Sequence, residues 1–139
     1  MYNTNNIQLI LKWYDLNKRD LPWRNVNDPY KTWLSEIMLQ QTQVQTVIPY
    51  YNKWIQQYPT LSSVAKANLD QLLKSWEGLG YYRRCKNFHQ AAKIVIKDYN
   101  GMIPNDYEKL KKLPGLGEYS ASAIMSIAFN EKYPAIDSN

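Results

Sequence analysis

With 139 residues, 45% of them apolar, the chain has room and material for one compact core and not for two complete domains. Seventeen Lys and Arg against twelve Asp and Glu leave a formal charge of +5, a balance that suits a polyanionic partner without demanding one. The single cysteine, Cys85, excludes an internal disulfide framework and a four-thiolate metal site built from this chain alone, and no apolar run reaches the roughly 18 residues of a membrane span. With a polar rather than leader-like start, Met1 to Asn6, the expectation is a soluble, monomeric, cytoplasmic protein without membrane association.

Apolar residues recur with helical rather than alternating period, and the breaks fall at Pro, Gly and Asx, so an all-α fold is expected. Ile7, Ile10, Leu11 and Tyr14 form the stripe of a first helix, and Asp20 to Asp28, with Pro22, reads as a connection. Asp28 before Pro29 is a start signal, an N-cap acceptor followed by a proline at the first helical position. The helix it opens carries Tyr30, Trp33, Leu34, Ile37 and Met38 on one face and stops near Leu39-Gln40-Gln41. Another restarts after Thr42 with Val44, Val47, Ile48, Tyr51 and Ile55. Further helices are expected over 61–67, 69–77, 82–99, 107–112 and 119–130, separated by Pro59, Gly78 to Gly80, Asn100 to Pro104, and Pro114 to Gly117. Trp54 and Trp76 have no functional pattern around them and read as core.

One short internal repeat is visible. Leu73 to Tyr82, containing Gly78-Leu79-Gly80, parallels Leu110 to Tyr119, containing Gly115-Leu116-Gly117, and both copies read as helix, turn, helix. In the second copy, Leu113-Pro114-Gly115-Leu116-Gly117 matches the helix-hairpin-helix motif of DNA repair proteins. Glycines on either side of a buried Leu let the backbone turn with positive φ, so that successive N–H groups point outward at a helix N-terminus, where the helix dipole also favours an anion. Gly115, Leu116, Gly117, Tyr119 and Ser120 are therefore candidate DNA-phosphate contacts, with Lys111 and Lys112 beside them. Ser120, Ala121 and Ala123 are small enough for close helix packing.

Glu36 follows Tyr30 by six residues and falls at the margin of the apolar stripe, next to Trp33. A carboxyl group at such a margin is partly desolvated, which favours its protonated form. Taken alone, a glutamate in this setting is an ordinary surface residue. Its surroundings change that reading. Arg19-Asp20-Leu21-Pro22-Trp23-Arg24, then Trp33 to Val44 (WLSEIMLQQTQV), then Gly78-Leu79-Gly80-Tyr81-Tyr82-Arg83, resemble in order and spacing the adenine DNA glycosylases of the MutY type. The resemblance runs from about Ile7 to Asn139.

The resemblance implies a helix-hairpin-helix DNA glycosylase fold. Residues 28–139 would form a six-helix-barrel domain with the hairpin motif at about 107–130, and residues 1–27 would belong to a second helical module. It implies removal of adenine mispaired with guanine or 8-oxoguanine in double-stranded DNA, after the base is flipped out of the stack. Glu36 matches the catalytic acid that protonates the adenine leaving group at N7, and Asp137 the aspartate that stabilises the oxocarbenium sugar. Breaking a glycosidic bond needs one carboxyl that arrives protonated and one that stays ionised. Arg19, Leu21, Trp23 and Arg24 match residues that line or support the adenine pocket, while the turn residues Gln40, Gln41 and Thr42 and the aromatic Tyr81 match the group wedged into the duplex. Tyr119 stands where bifunctional relatives carry a lysine; a phenol cannot form an imine, so the resemblance implies a monofunctional enzyme.

Two departures stand out. The cysteines that hold a [4Fe-4S] cluster in the full-length family lie beyond Asp137, so no cluster is expected to be ligated by this chain. Asp137-Ser138-Asn139 replaces Asp-Gly-Asn close to the chain end, where fraying works against precise placement of a carboxylate, so an interrupted or partial chain is expected. The rival reading is therefore a catalytically impaired DNA-binding fragment. A glycosylase-lyase of oxidised pyrimidines is disfavoured by Tyr119 and by the Gln40-Gln41-Thr42 turn.

Overall fold

The computed structural model describes residues 21–24 and 26–130, and among these every regular element is helical. In chain order they are α1 (Pro29–Leu39), α2 (Val44–Gln57), α3 (Leu61–Lys66), α4 (Leu69–Trp76), α5 (Arg83–Asp98), α6 (Tyr107–Lys111) and α7 (Glu118–Ile127). The bounds fall within a residue or two of those expected from periodicity, except that α7 ends at Ile127 rather than Asn130. The first expected helix, around Ile7 to Tyr14, lies outside the described residues.

Local chemistry explains most of the starts. Asp28 caps α1, its Oδ1 accepting from the Tyr30 amide at 3.0 Å, with Pro29 in the first turn. Thr60 and Ser63 form a reciprocal capping box at α3, and Asn68 and Asp106 cap α4 and α6. The starts of α2, α5 and α7 have no side-chain cap.

Helix α1 lies between α2 and α7, α5 packs on α3 and α4, and α6 pairs with α7. The core between them is aromatic. Trp33 meets Phe88 edge-on at 4.9 Å, Trp54 meets Trp76 edge-on at 5.8 Å, and all four are buried. Buried polar groups in this layer are largely satisfied: Trp54 Nε1 donates to Tyr30 Oη at 3.0 Å, and that hydroxyl donates to the Tyr58 carbonyl at 2.5 Å. His89 Nε2 lies 3.0 Å from the Ala67 carbonyl, and burial lowers its pKa, so a neutral ring donates that bond and ties α5 to the α3–α4 connection. Ala91, Ala92, Ala121 and Ala123 are buried in the interior of the helical fold. The consequence for function is positional. Helix α1 carries Glu36 toward a space framed by the start of α5 and the α6–α7 hairpin.

Candidate active site

Between these elements opens a cleft of about 970 Å³ lined by Glu36, Gln40, Gln41, Tyr81, Arg83, Arg84, Asn87, Gly115 and Tyr119, with Trp33 and Phe88 among its apolar walls. Its polar groups come from three separate stretches of chain, 36–41, 81–87 and 115–119. Glu36 projects from the last turns of α1 and is half-buried, and this burial raises its pKa above the ordinary carboxylate value. The carboxyl group is thus disposed to hold its proton, as its place beside the apolar stripe implies. Nearby, the indole nitrogen of Trp33 is buried without a hydrogen-bond partner.

Helix α1 ends in a turn that no glycine assists. Gln41 takes φ of 59°, in the left-handed region, and its side chain is exposed. Gln40 points the other way, its Nε2 donating to Ser120 Oγ at 3.0 Å, so the turn is fastened to α7. Across the cleft Tyr81 also takes a left-handed conformation, with φ of 49°, and stands 59% exposed just before α5. Such backbone costs a non-glycine residue about 1–2 kcal/mol and requires support from its surroundings.

Arg84 bonds to both turns. Its Nη1 donates toward the carbonyls of Ile37, Met38 and Gln40, at 2.5, 3.0 and 2.6 Å. Its Nη2 reaches Thr42 Oγ1 and the Gly80 carbonyl, both at 3.3 Å, and its Nε the Tyr81 carbonyl at 3.4 Å. The guanidinium lies over the rings of Trp76 and Tyr81, 5.3 and 5.5 Å from their centroids. A cation against the C-terminal carbonyls of α1 also meets the negative end of that helix dipole. Burial lowers the guanidinium pKa, with Tyr81 acting in the opposite direction.

The second Gly-Leu-Gly forms the expected hairpin. Gly115 has φ of 81°, Leu116 is buried, and Gly117 sits at the N-cap of α7, leaving the first turn without a side-chain cap. Ser120 faces inward, 5% exposed, and its hydroxyl accepts from Gln40. Tyr119 is 42% exposed and reaches the cleft.

The structure brings together Glu36, Gln40, Gln41, Tyr81, Gly115 and Tyr119, with Thr42 tied to them through Arg84. It does not bring Leu21, Trp23 and Arg24 to the lining of this cleft. Their turn closes on itself, Arg24 N to Leu21 O at 3.1 Å, and Trp23 packs edge-on against Tyr51 of α2 at 5.3 Å. Arg19 and Asp137 lie outside the described residues. Arg84 and Asn87 are site residues that the sequence reading missed. A signal existed for the first, because adjacent arginines at the start of α5 oppose the positive end of the helix dipole unless something else holds them.

No group of three or more His, Cys, Asp or Glu stands together among the described residues. The Cys85 thiol is buried in the core and pushed up to about 12, an inert setting. These residues do not fit an iron–sulfur cluster. No described helix is long and apolar enough to cross a membrane.

The helix-hairpin-helix geometry has a counterpart among known proteins: the HhH-GPD superfamily of base excision DNA repair proteins matches residues 34–139. The chain belongs to that superfamily. Among curated relatives, the adenine DNA glycosylase of Buchnera aphidicola subsp. Baizongia pistaciae is 48% identical over 95% of this chain and 38% of its own length. The adenine DNA glycosylase of Homo sapiens is 45% identical over 94% of this chain and 26% of its own length. The chain therefore spans well under half of these relatives. A solved thermostable thymine-DNA glycosylase superposes with a TM-score of 0.85 at 30% identity, over 96% of this chain and 62% of that one. A trapped endonuclease III–DNA covalent intermediate shares the fold, with a TM-score of 0.79 at 24% identity, over 99% of this chain and 66% of that one.

Proposed function

We propose that the protein is a monofunctional adenine DNA glycosylase of base excision repair, acting on adenine opposite guanine or 8-oxoguanine in double-stranded DNA. The observation that carries this reading is the half-buried Glu36, its pKa raised by burial, in a cleft whose lining also includes Gln41 and Tyr81. Identity above 40% to adenine DNA glycosylases over nearly the whole chain supports the choice of base.

On this reading the Gly115–Ser120 hairpin holds a backbone phosphate through amides at the start of α7, and the net charge of +5 favours approach of the polyanion. Tyr81 and Gln41 enter the duplex and fill the gap as adenine leaves the stack. The everted base reaches the cleft, where Glu36 delivers its proton to adenine N7 and so turns the base into a leaving group. Asp137 is assigned to the developing oxocarbenium ion, and water completes hydrolysis. Arg19, Leu21, Trp23 and Arg24 are assigned to supporting the base from the segment before α1. Tyr119, within the cleft and without an amine, gives no Schiff base and hence no strong strand cleavage.

The decisive experiment is Glu36→Gln on an A:G duplex. Single-turnover excision is expected to fall by about 100- to 10,000-fold while DNA affinity stays within a few-fold. Parallel loss of binding assigns Glu36 a structural role, and an unchanged rate sinks the reading. The same variant carries a pH signature. Because burial raises the folded pKa of Glu36, its contribution to stability is fully present below the unfolded value of about 4.5 and is lost as pH rises through the folded value. Glu36→Gln should remove that decline and melt higher than the parent protein on the alkaline side, where the parent's excision also falls as the acid ionises.

A further inference from the structure

Four non-glycine residues among those described have left-handed backbone: Gln41, Tyr81, Asn100 and Asn130. The two asparagines tolerate it through their own short polar side chains. Gln41 and Tyr81 have no such aptitude, and both sit beside peptide groups bound by one side chain, Arg84. The Gln40 carbonyl belongs to the peptide plane that fixes φ of Gln41, and the Gly80 carbonyl to the plane that fixes φ of Tyr81. Thr42 Oγ1 and the Tyr81 carbonyl are held from the far side of each residue.

We propose that Arg84 is a positioning residue: its guanidinium clasps the turns 40–42 and 80–81 together and holds Gln41 and Tyr81 in the backbone conformations that display both side chains at the mouth of the Glu36 cleft. The inference rests on the proposed reading of those two side chains as duplex contacts. The geometry suits arginine specifically. A planar fork with five donors spans carbonyls from α1, from its C-terminal turn and from the 80–81 turn at once, which a lysine ammonium cannot do. The guanidinium also lies over the Trp76 and Tyr81 rings, 5.3 and 5.5 Å from their centroids, which adds cation–π attraction to its hydrogen bonds. Because the Ile37 and Met38 carbonyls lie in the turn of α1 that carries Glu36, the acid and both wedge residues are set in one frame.

The test is a double-mutant cycle in the intact protein, with Arg84→Lys and Tyr81→Ala alone and combined, and a second cycle with Gln41→Ala. Affinity for a fluorescein-labelled duplex carrying one A:G mispair is read by anisotropy, with circular dichroism as the folding control. Arg84→Lys is expected to weaken binding at least tenfold in the parent and less than threefold once Tyr81 or Gln41 is already truncated. Fluorescence of 2-aminopurine at the target position should show less flipped base, while the pH at which excision declines stays put, because the burial of Glu36 is untouched. Equal losses in all backgrounds, or a moved pH profile, overturn the inference. If Arg84→Lys loses its helical signal, Thr42→Val removes one contact alone and goes through the same cycle, with about threefold expected against none. Coupling in binding without excision by the parent protein sinks the glycosylase reading and upholds the clasp, and excision with additive losses does the reverse.

Discussion

The two Gly-Leu-Gly turns begin alike and end differently. In each, the first glycine has positive φ, 100° at Gly78 and 81° at Gly115, and the leucine is buried. In each, the leucine amide bonds the carbonyl three residues back, Leu79 to Trp76 at 3.0 Å and Leu116 to Leu113 at 3.1 Å. The copies part at the second glycine, where Gly80 has φ of 77° and Gly117 has φ of −100°. Gly117 enters α7 at once and leaves an uncapped helix N-terminus facing outward. Gly80 turns once more because its carbonyl receives Trp76 Nε1 and Arg84 Nη2, at 3.0 and 3.3 Å, and this extra turn raises Tyr81 into solvent before α5 starts. One local sequence thus yields a turn that runs straight into an uncapped helix start and a turn that presents a side chain, and the choice is made by groups outside it.

Gly78→Ala should have the largest effect on stability, since a Cβ there comes within 2.1 Å of Tyr50 Oη, which donates to the Glu77 carbonyl at 2.7 Å. Left-handed strain plus that lost bond amounts to about 2–3 kcal/mol, or on the order of 10 °C in Tm by calorimetry. Gly115→Ala follows at about 1–2 kcal/mol, because its Cβ would lie 2.9 Å from Asn87 Cβ, close to the backbone of α5 and unable to swing aside. If both variants melt like the parent protein, the shared first half of the turns is not what holds them. Tyr81→Ala sharpens the second half: its exposed ring contributes little to the core, so Tm should move by less than about 0.5 kcal/mol equivalent while duplex affinity falls by roughly 1–3 kcal/mol. Gly117→Ala should change stability least, under about 0.5 kcal/mol, because nothing lies within 4 Å of the added methyl and φ is ordinary. Its effect belongs to binding, about tenfold weaker in an anisotropy titration, since the methyl stands where a phosphate would approach. A loss at Gly117 that appears in Tm rather than in affinity would make the hairpin structural only.

Much of the fold was legible because its signals are local. Asp28-Pro29 announces α1, the spacing of Tyr30, Trp33, Leu34, Ile37 and Met38 gives its buried face, and the structure buries all five. Trp54 and Trp76 were readable as core for the same reason. Glu36 was legible only as a marginal residue. Its raised pKa depends on walls contributed by residues up to Tyr119, far along the chain. The placement of the segment Leu21 to Arg24 was not legible in the same way: the resemblance ties it to the base pocket, and only the packed structure shows Trp23 edge-on against Tyr51 of α2.

Periodicity, caps and glycines, all functions of neighbouring residues, determined the helices, their order and the existence of two tight turns. Tertiary structure decided which turn presents amides and which presents a tyrosine, and it made Arg84 central. Hydrogen bonds from a helix start to carbonyls more than forty positions earlier exist only once the helices have packed. Desolvation of Glu36 likewise belongs to the assembled cleft, because burial is a property of the surroundings and not of the residue.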